Sequence, residues 1–71
     1  MTLQQLQYIT AVADTGQFSK AARHCHVTQP TLTMMVRKLE DELGVTIFQR
    51  KVQPARPTVE GAALIEQARV V

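Results

Sequence analysis

Tryptophan is absent, cysteine occurs once, and glycine and proline occur three times each. A single thiol, Cys25, rules out an internal disulfide and leaves no thiolate set for a structural zinc, which points to a reducing compartment. Three scattered glycines cannot make a glycine-rich phosphate loop. There is no charged leader followed by an apolar run, and no uninterrupted apolar stretch long enough to cross a bilayer; a cytoplasmic chain without membrane contact is expected. His24 and His26 flank Cys25, but residues so close point in different directions on a helix, and no other histidine or cysteine could complete a metal site. Half of the six acids sit together as Glu40-Asp41-Glu42, on a helix exterior with no base nearby. No enzyme, metal centre or cofactor is therefore expected.

What remains is the composition of an ordinary globular chain, 45% hydrophobic and 20% charged, which argues against disorder. At 71 residues it is one small domain, close to the lower limit at which a single core is stable unaided, so help from a partner chain is plausible. A net charge of +2 says little about a polyanionic partner, but its placement says more. Seven of the eight cationic residues, from Lys20 to Arg56, lie in the middle of the chain, where the only acids are Glu40, Asp41 and Glu42.

Along the chain, Leu3, Leu6, Ile9, Val12 and Ala13 recur at helical spacing and predict a first helix over Thr2 to Asp14, capped by Thr2 and closed by Gly16. Tyr8 falls off that stripe and reads as an ordinary half-exposed tyrosine. A short second helix is expected from Phe18 to Cys25, with Ala21 and Ala22 leaving room for a crossing helix. His26-Val27 breaks the pattern, and Thr28 opens a third helix as N-cap, with Pro30 in its first turn, where a missing N–H costs nothing. So tight a gap between a short and a longer helix is a helix-turn-helix signature, with Ala22, Cys25, Val27 and Leu32 supplying its small, buried and anchoring positions.

The third helix, Thr28–Leu43, has two faces. Leu32, Val36, Leu39 and Leu43 belong to a core; Pro30, Thr33, Met34 and Arg37 lie near the opposite side. After Gly44, Ile47 and Phe48 favour a strand, Gln53-Pro54-Ala55 reads as a turn, and Pro57 limits any return strand to a short edge, which outlines a two-stranded wing. Thr58 then caps a last helix that runs to Val71 without a stop signal and looks cut. Leu64, Ala68 and Val71 form one apolar group on it and Val59, Ala63 and Val70 another, so one contact with its own domain and one with another chain are expected.

Chemically, the front of the third helix suits a nucleic acid. Its first turn offers backbone N–H groups and the positive end of the helix dipole to a phosphate, with the Thr28 hydroxyl beside them. Gln29 can pair with an adenine edge in the major groove, Thr31, Thr33 and Met34 offer hydroxyl and methyl surfaces to thymine methyls, and Arg37 suits a phosphate or a guanine. The acidic run would repel the backbone, so this helix should enter by its N-terminal half. The alternative is a winged-helix protein-interaction module that binds no DNA.

The run FSKAARHCHVTQPTLT, the spaced V, KLEDELGV, IF and R that follow, and the later T-x-x-G closely resemble the N-terminal domain of LysR-type transcriptional regulators over essentially the whole chain. QPTLTMMVRKLEDELGV together with RKVQPARPT looks most like the peroxide-sensing, OxyR-like branch. The resemblance implies a mainly α winged helix-turn-helix at 1–57 and, at 58–71, the start of a linker helix that pairs two chains, with an effector domain absent. It implies sequence-specific binding of double-stranded DNA by a homodimer, a tetramer being possible in the full-length protein. By position, Gln29, Pro30 and Thr33 match base- and groove-contacting residues, Thr28 and Arg37 phosphate contacts, and Arg50 and Arg56 basic wing positions. Leu64, Ala68 and Val71 fall on the dimerisation helix. The chain departs from the family at Met34, where arginine is common, at Gln53, where a basic wing tip is common, at Gln17, which replaces a serine cap, and at Pro57, which replaces a leucine. Lys51 supplies part of the missing wing charge under this reading.

Overall fold

A computed structural model describes residues 2–49 and 55–70. Four helices follow one another: α1 (Leu3–Thr15), α2 (Phe18–His24), α3 (Gln29–Leu43) and α4 (Val59–Val70). The first three are bounded where the local chemistry dictates. Thr2 and Gln5 form a reciprocal capping box at the start of α1, and Gly16 and Gly44 close α1 and α3 in the left-handed conformation that glycine adopts without strain. Gln17 makes no side-chain cap on α2, so the absence of the usual serine is real at the level of hydrogen bonds.

α1 is the hub, packing against α2, α3 and α4. Its contacts therefore cover more than one stripe. Tyr8, expected half-exposed, is 5% exposed and belongs to the core with Ile9, Ala11 and Val12. Around them close Ala21 and Ala22 of α2, Leu32, Val36 and Leu39 of α3, then Ile47, Phe48 and Ile65. Phe18 meets Phe48 edge-on, ring centroids 5.7 Å apart. Two residues assigned to apolar stripes lie at helix ends that overhang this core and are exposed instead, Leu3 on α1 and Leu43 on α3.

Among the described residues two polar side chains are buried with partners. Gln5 caps α1 and also donates from Nε2 to the Met35 carbonyl oxygen, 3.3 Å away, tying α1 to α3. Glu40 corrects the view of 40–42 as an exterior acidic run: it is 6% exposed, and its Oε2 accepts from the Ile47 N–H at 2.7 Å and the Phe48 N–H at 3.4 Å. Asp41 and Glu42 remain outside. The helix turns one of its three acids inward because the chain beyond Gly44 folds back across its end and presents unpaired backbone donors.

Beyond α3 the chain leaves along Thr46–Gln49 and returns along 55–58. Phe48 and Pro57 make an antiparallel bridge, flanked by bonds from Gln49 N–H to Arg56 O and from Thr58 N–H to Ile47 O, each 2.8 Å. Among the described residues this pairing amounts to a bridge, not to two strands. The tip expected at 50–54, with Arg50, Lys51 and Gln53, lies outside them. The Ala55 N–H also donates to Gly16 O at 2.7 Å, fastening the returning chain to the end of α1.

α4 is anchored by Gly61 and Ile65, both buried, neither of which belonged to the two apolar groups read from sequence. Leu64 is half-buried against the same core and Ala68 is half-buried, while Val59, Ala63 and Val70 face outward. At its far end Arg69 pairs with Asp14 of α1 at 2.5 Å. This hydrogen bond is the main reason the Asp14 carboxyl is held below its ordinary 3.8, with the charges of Arg69 and His24 adding to it. A carboxyl depressed in the folded state stabilises fully above its unfolded value and loses that contribution as pH falls through the lowered one. Acid titration of thermal stability should therefore show a small loss below about pH 4 that disappears in Arg69→Ala and shrinks in high salt, both groups being half-exposed.

Candidate nucleic-acid interface

The turn between α2 and α3 sets the site. Cys25 N–H returns to Ala21 O, His26 N–H to Arg23 O and Val27 N–H to Ala22 O, so α2 ends in a tight, fully bonded turn. His26 sits there at φ 60, a left-handed residue that is not glycine. Histidine is among the side chains better tolerated in that conformation, and here it is exposed. Both flanking histidines are thus surface residues. Cys25 is half-buried at the C-cap, and burial pushes its thiol up from the ordinary value. Ala22 and Leu32 are buried and Val27 half-buried, as the helix-turn-helix spacing requires.

α3 leaves this turn with its back in the core and its front in solvent. Gln29, Pro30, Thr33, Met34 and Arg37, all candidates from sequence, line a single open groove along that front. Lys38 and Asp41 complete it and were not foreseen as site residues. Their spacing from Met34 and Arg37, four residues in each case, was the available signal. Asp41 places a carboxylate at the C-terminal end of the groove, which confines an anionic ligand to the N-terminal part.

At the N-terminus the structure redistributes roles. The Thr28 hydroxyl accepts from the Thr31 N–H at 3.3 Å and donates to the Thr31 hydroxyl at 2.9 Å, so Thr28 is occupied as a cap. The Thr31 hydroxyl is left to donate outward. Pro30 has no N–H, and that of Thr31 is taken; among the described residues, the Gln29 N–H is what the first turn offers an anion. Arg56 is exposed beside the bridge, its carbonyl engaged by Gln49. Arg50, Lys51 and Val71 lie outside the described residues. Among the described residues no group of three or more His, Cys, Asp or Glu side chains could hold a metal ion, and no helix is long and apolar enough to cross a membrane.

A short helix, a tight turn and a longer helix with a solvent-facing groove define a helix-turn-helix protein. The chain belongs to the lysR family of bacterial regulatory helix-turn-helix proteins, whose sequence profile matches residues 3–62. It is 46% identical over all 71 of its residues to a hydrogen peroxide-inducible genes activator of Pectobacterium carotovorum subsp. carotovorum, of which it spans 24%. Among solved structures it resembles the DNA-binding domain of BenM in complex with benA site 1 DNA, with a TM-score of 0.96 and 34% identity over 99% of this chain and 79% of that one. It also matches a full-length OxyR variant from Pseudomonas aeruginosa, with a TM-score of 0.93 and 48% identity over 99% of this chain and 24% of that one. The chain thus spans about a quarter of the curated relative and of the full-length OxyR it matches. These relatives are transcriptional regulators rather than enzymes.

Proposed function

We propose that this chain is the sequence-specific, double-stranded DNA-binding part of a LysR-type transcriptional regulator that works as a homodimer in the cytoplasm and has no catalytic activity of its own. The observation that carries the reading is the groove on α3, where Gln29, Thr33, Met34 and Arg37 converge on the exposed side of a helix whose other side is core. In this reading α3 lies in the major groove, Gln29 reads a base edge, and the Gln29 N–H, the Thr31 hydroxyl and Arg37 hold its position, with Thr28 capping the turn that presents them. Arg50, Lys51 and Arg56 meet the backbone from a two-stranded wing built on the Phe48–Pro57 bridge. Residues 1–57 form the reading domain and 58–71 the start of a dimerisation helix, with Leu64, Ala68 and Val71 as its pairing residues, Leu64 shared with its own core, and Val59, Ala63 and Val70 exposed on a second side. The similarity to hydrogen peroxide-inducible activators supports an OxyR-like branch; Cys25 serves here as a half-buried residue of the turn between α2 and α3.

Affinity for a selected palindrome measured against salt tests this. Affinity should fall steeply as salt rises and exceed that for scrambled DNA. Equal affinity for both, or a flat salt response, would overturn it. Within the site, Gln29→Ala should cost about 1–3 kcal/mol of discrimination at one base position, whereas Arg56→Ala should weaken binding to every sequence and lower the salt slope by about 1. Indistinguishable effects would break this division of roles.

A further inference from the structure

Met34 stands out on the front of α3. It is 50% exposed, on a helix whose other exposed side chains, Pro30 and the terminal Leu43 apart, are polar or charged. Its partly buried neighbour Met35 packs against the core and supplies a carbonyl to Gln5; Met34 does neither, so folding does not account for an apolar side chain there. It lies instead within the groove, one turn from Pro30, with Arg37 and Lys38 one turn further on. The groove therefore has an apolar patch, Pro30 and Met34, bordered by the cations Arg37 and Lys38 and the hydrogen-bonding side chains of Gln29 and Thr33.

We propose that Met34 is a specificity-determining residue that recognises the 5-methyl group of a pyrimidine. The inference rests on the DNA-binding reading above and deepens it. A thioether side chain has no hydrogen-bond donor and accepts weakly, so it cannot select a base by its polar edge. What it offers is a flexible, polarisable apolar surface. In the major groove the apolar feature of a base pair is the methyl on C5 of thymine. The same carbon carries the methyl of 5-methylcytosine, so the contact is to a methyl and not to thymine as such. The flanking cations place this contact against the strand whose phosphates they hold.

The test uses the whole chain and a duplex selected by it from a random DNA pool. Each thymine of that duplex is replaced in turn by deoxyuridine, which removes one methyl and leaves base pairing intact. One position per half-site should lose about fourfold in affinity, the effect of removing one buried methyl. That loss should vanish in Met34→Ala and persist in Met34→Leu. Both variants alter a half-exposed side chain and should fold as the parent does. Placing cytosine there should weaken binding, and 5-methylcytosine should recover part of it. If uracil is tolerated at every position, or if the loss survives in Met34→Ala, the proposal is wrong while DNA binding itself stands. A pool that yields no enriched sequence overturns the DNA-binding reading and this one with it.

Discussion

Gly61→Ala should cost about 3 kcal/mol of folding stability, at the upper end of what overpacking a core usually costs. Glycine to alanine in an open helix ordinarily stabilises by up to about 1 kcal/mol, so the expected sign is reversed. A Cβ on Gly61 would lie 2.0 Å from the Ile47 carbonyl oxygen and within 2.8 Å of the Ile47 backbone carbon atoms. That carbonyl cannot swing aside. It accepts the Thr58 N–H at 2.8 Å and the Thr58 hydroxyl at 3.3 Å, while the same hydroxyl also donates to Thr46 O and accepts the Gly61 N–H. One added methyl must therefore lift the first turn of α4 away from the bridge region and carry Ile65 partly out of the core. Urea denaturation followed by circular dichroism measures this. A variant as stable as the parent would show that α4 is not seated on Ile47. Gly44 provides the contrast: nothing lies within 4 Å of a Cβ there, so Gly44→Ala should cost only the about 1–2 kcal/mol of an alanine held at φ +70.

Glu40→Ala should destabilise by a similar amount, about 3 kcal/mol, for an electrostatic reason. It removes a buried carboxylate that accepts two backbone N–H groups at the point where α3 hands the chain to Ile47 and Phe48. Those donors would be left in a site where water replaces the lost partner poorly. Glu40→Gln keeps an acceptor oxygen but not its charge, and charge-assisted bonds are about twice as strong as neutral ones, so roughly half of the loss should remain. Asp41→Ala, one residue on and exposed, should lie within about 0.5 kcal/mol of the parent. Denaturation of the three variants side by side decides the matter, and equal midpoints for Glu40→Ala and Asp41→Ala would refute the clasp. Because Glu40 joins α3 to the Phe48–Pro57 bridge region, its loss should also weaken the proposed DNA binding more than a change in helix stability alone.

These two residues mark where sequence reading reached its limit. Glu40 was legible as one of three consecutive acids, and periodicity along a single helix could not show that a later segment would arrive with unpaired donors. Gly61 was visible in T-x-x-G, but a glycine pattern carries no partner; the close approach to Ile47 exists only once the segment after α3 has folded across α4. Tyr8 failed similarly. Helical spacing marks one amphipathic stripe on α1, whereas the helix touches three others. Ile65, the buried anchor of α4, belongs to neither apolar group that helical spacing marks out. Leu3 and Leu43 erred in the other direction, since periodicity does not say where a core ends.

Local chemistry was determined by sequence alone: the caps Thr2 and Thr28, the glycine stops, the tight turn after α2 and the two faces of α3 all depend on residues within a few positions of one another. The membership of the groove was also largely legible, because Gln29, Pro30, Thr33, Met34 and Arg37 share a helix and helical spacing alone brings them together. Tertiary structure decided the rest. Which acid turns inward, which glycine touches backbone, which hydroxyl at the head of α3 stays free and which side of α4 remains uncovered all follow from contacts between segments far apart in the chain. Such contacts are set by packing in three dimensions, to which hydrophobic periodicity, a property of one helix at a time, is blind.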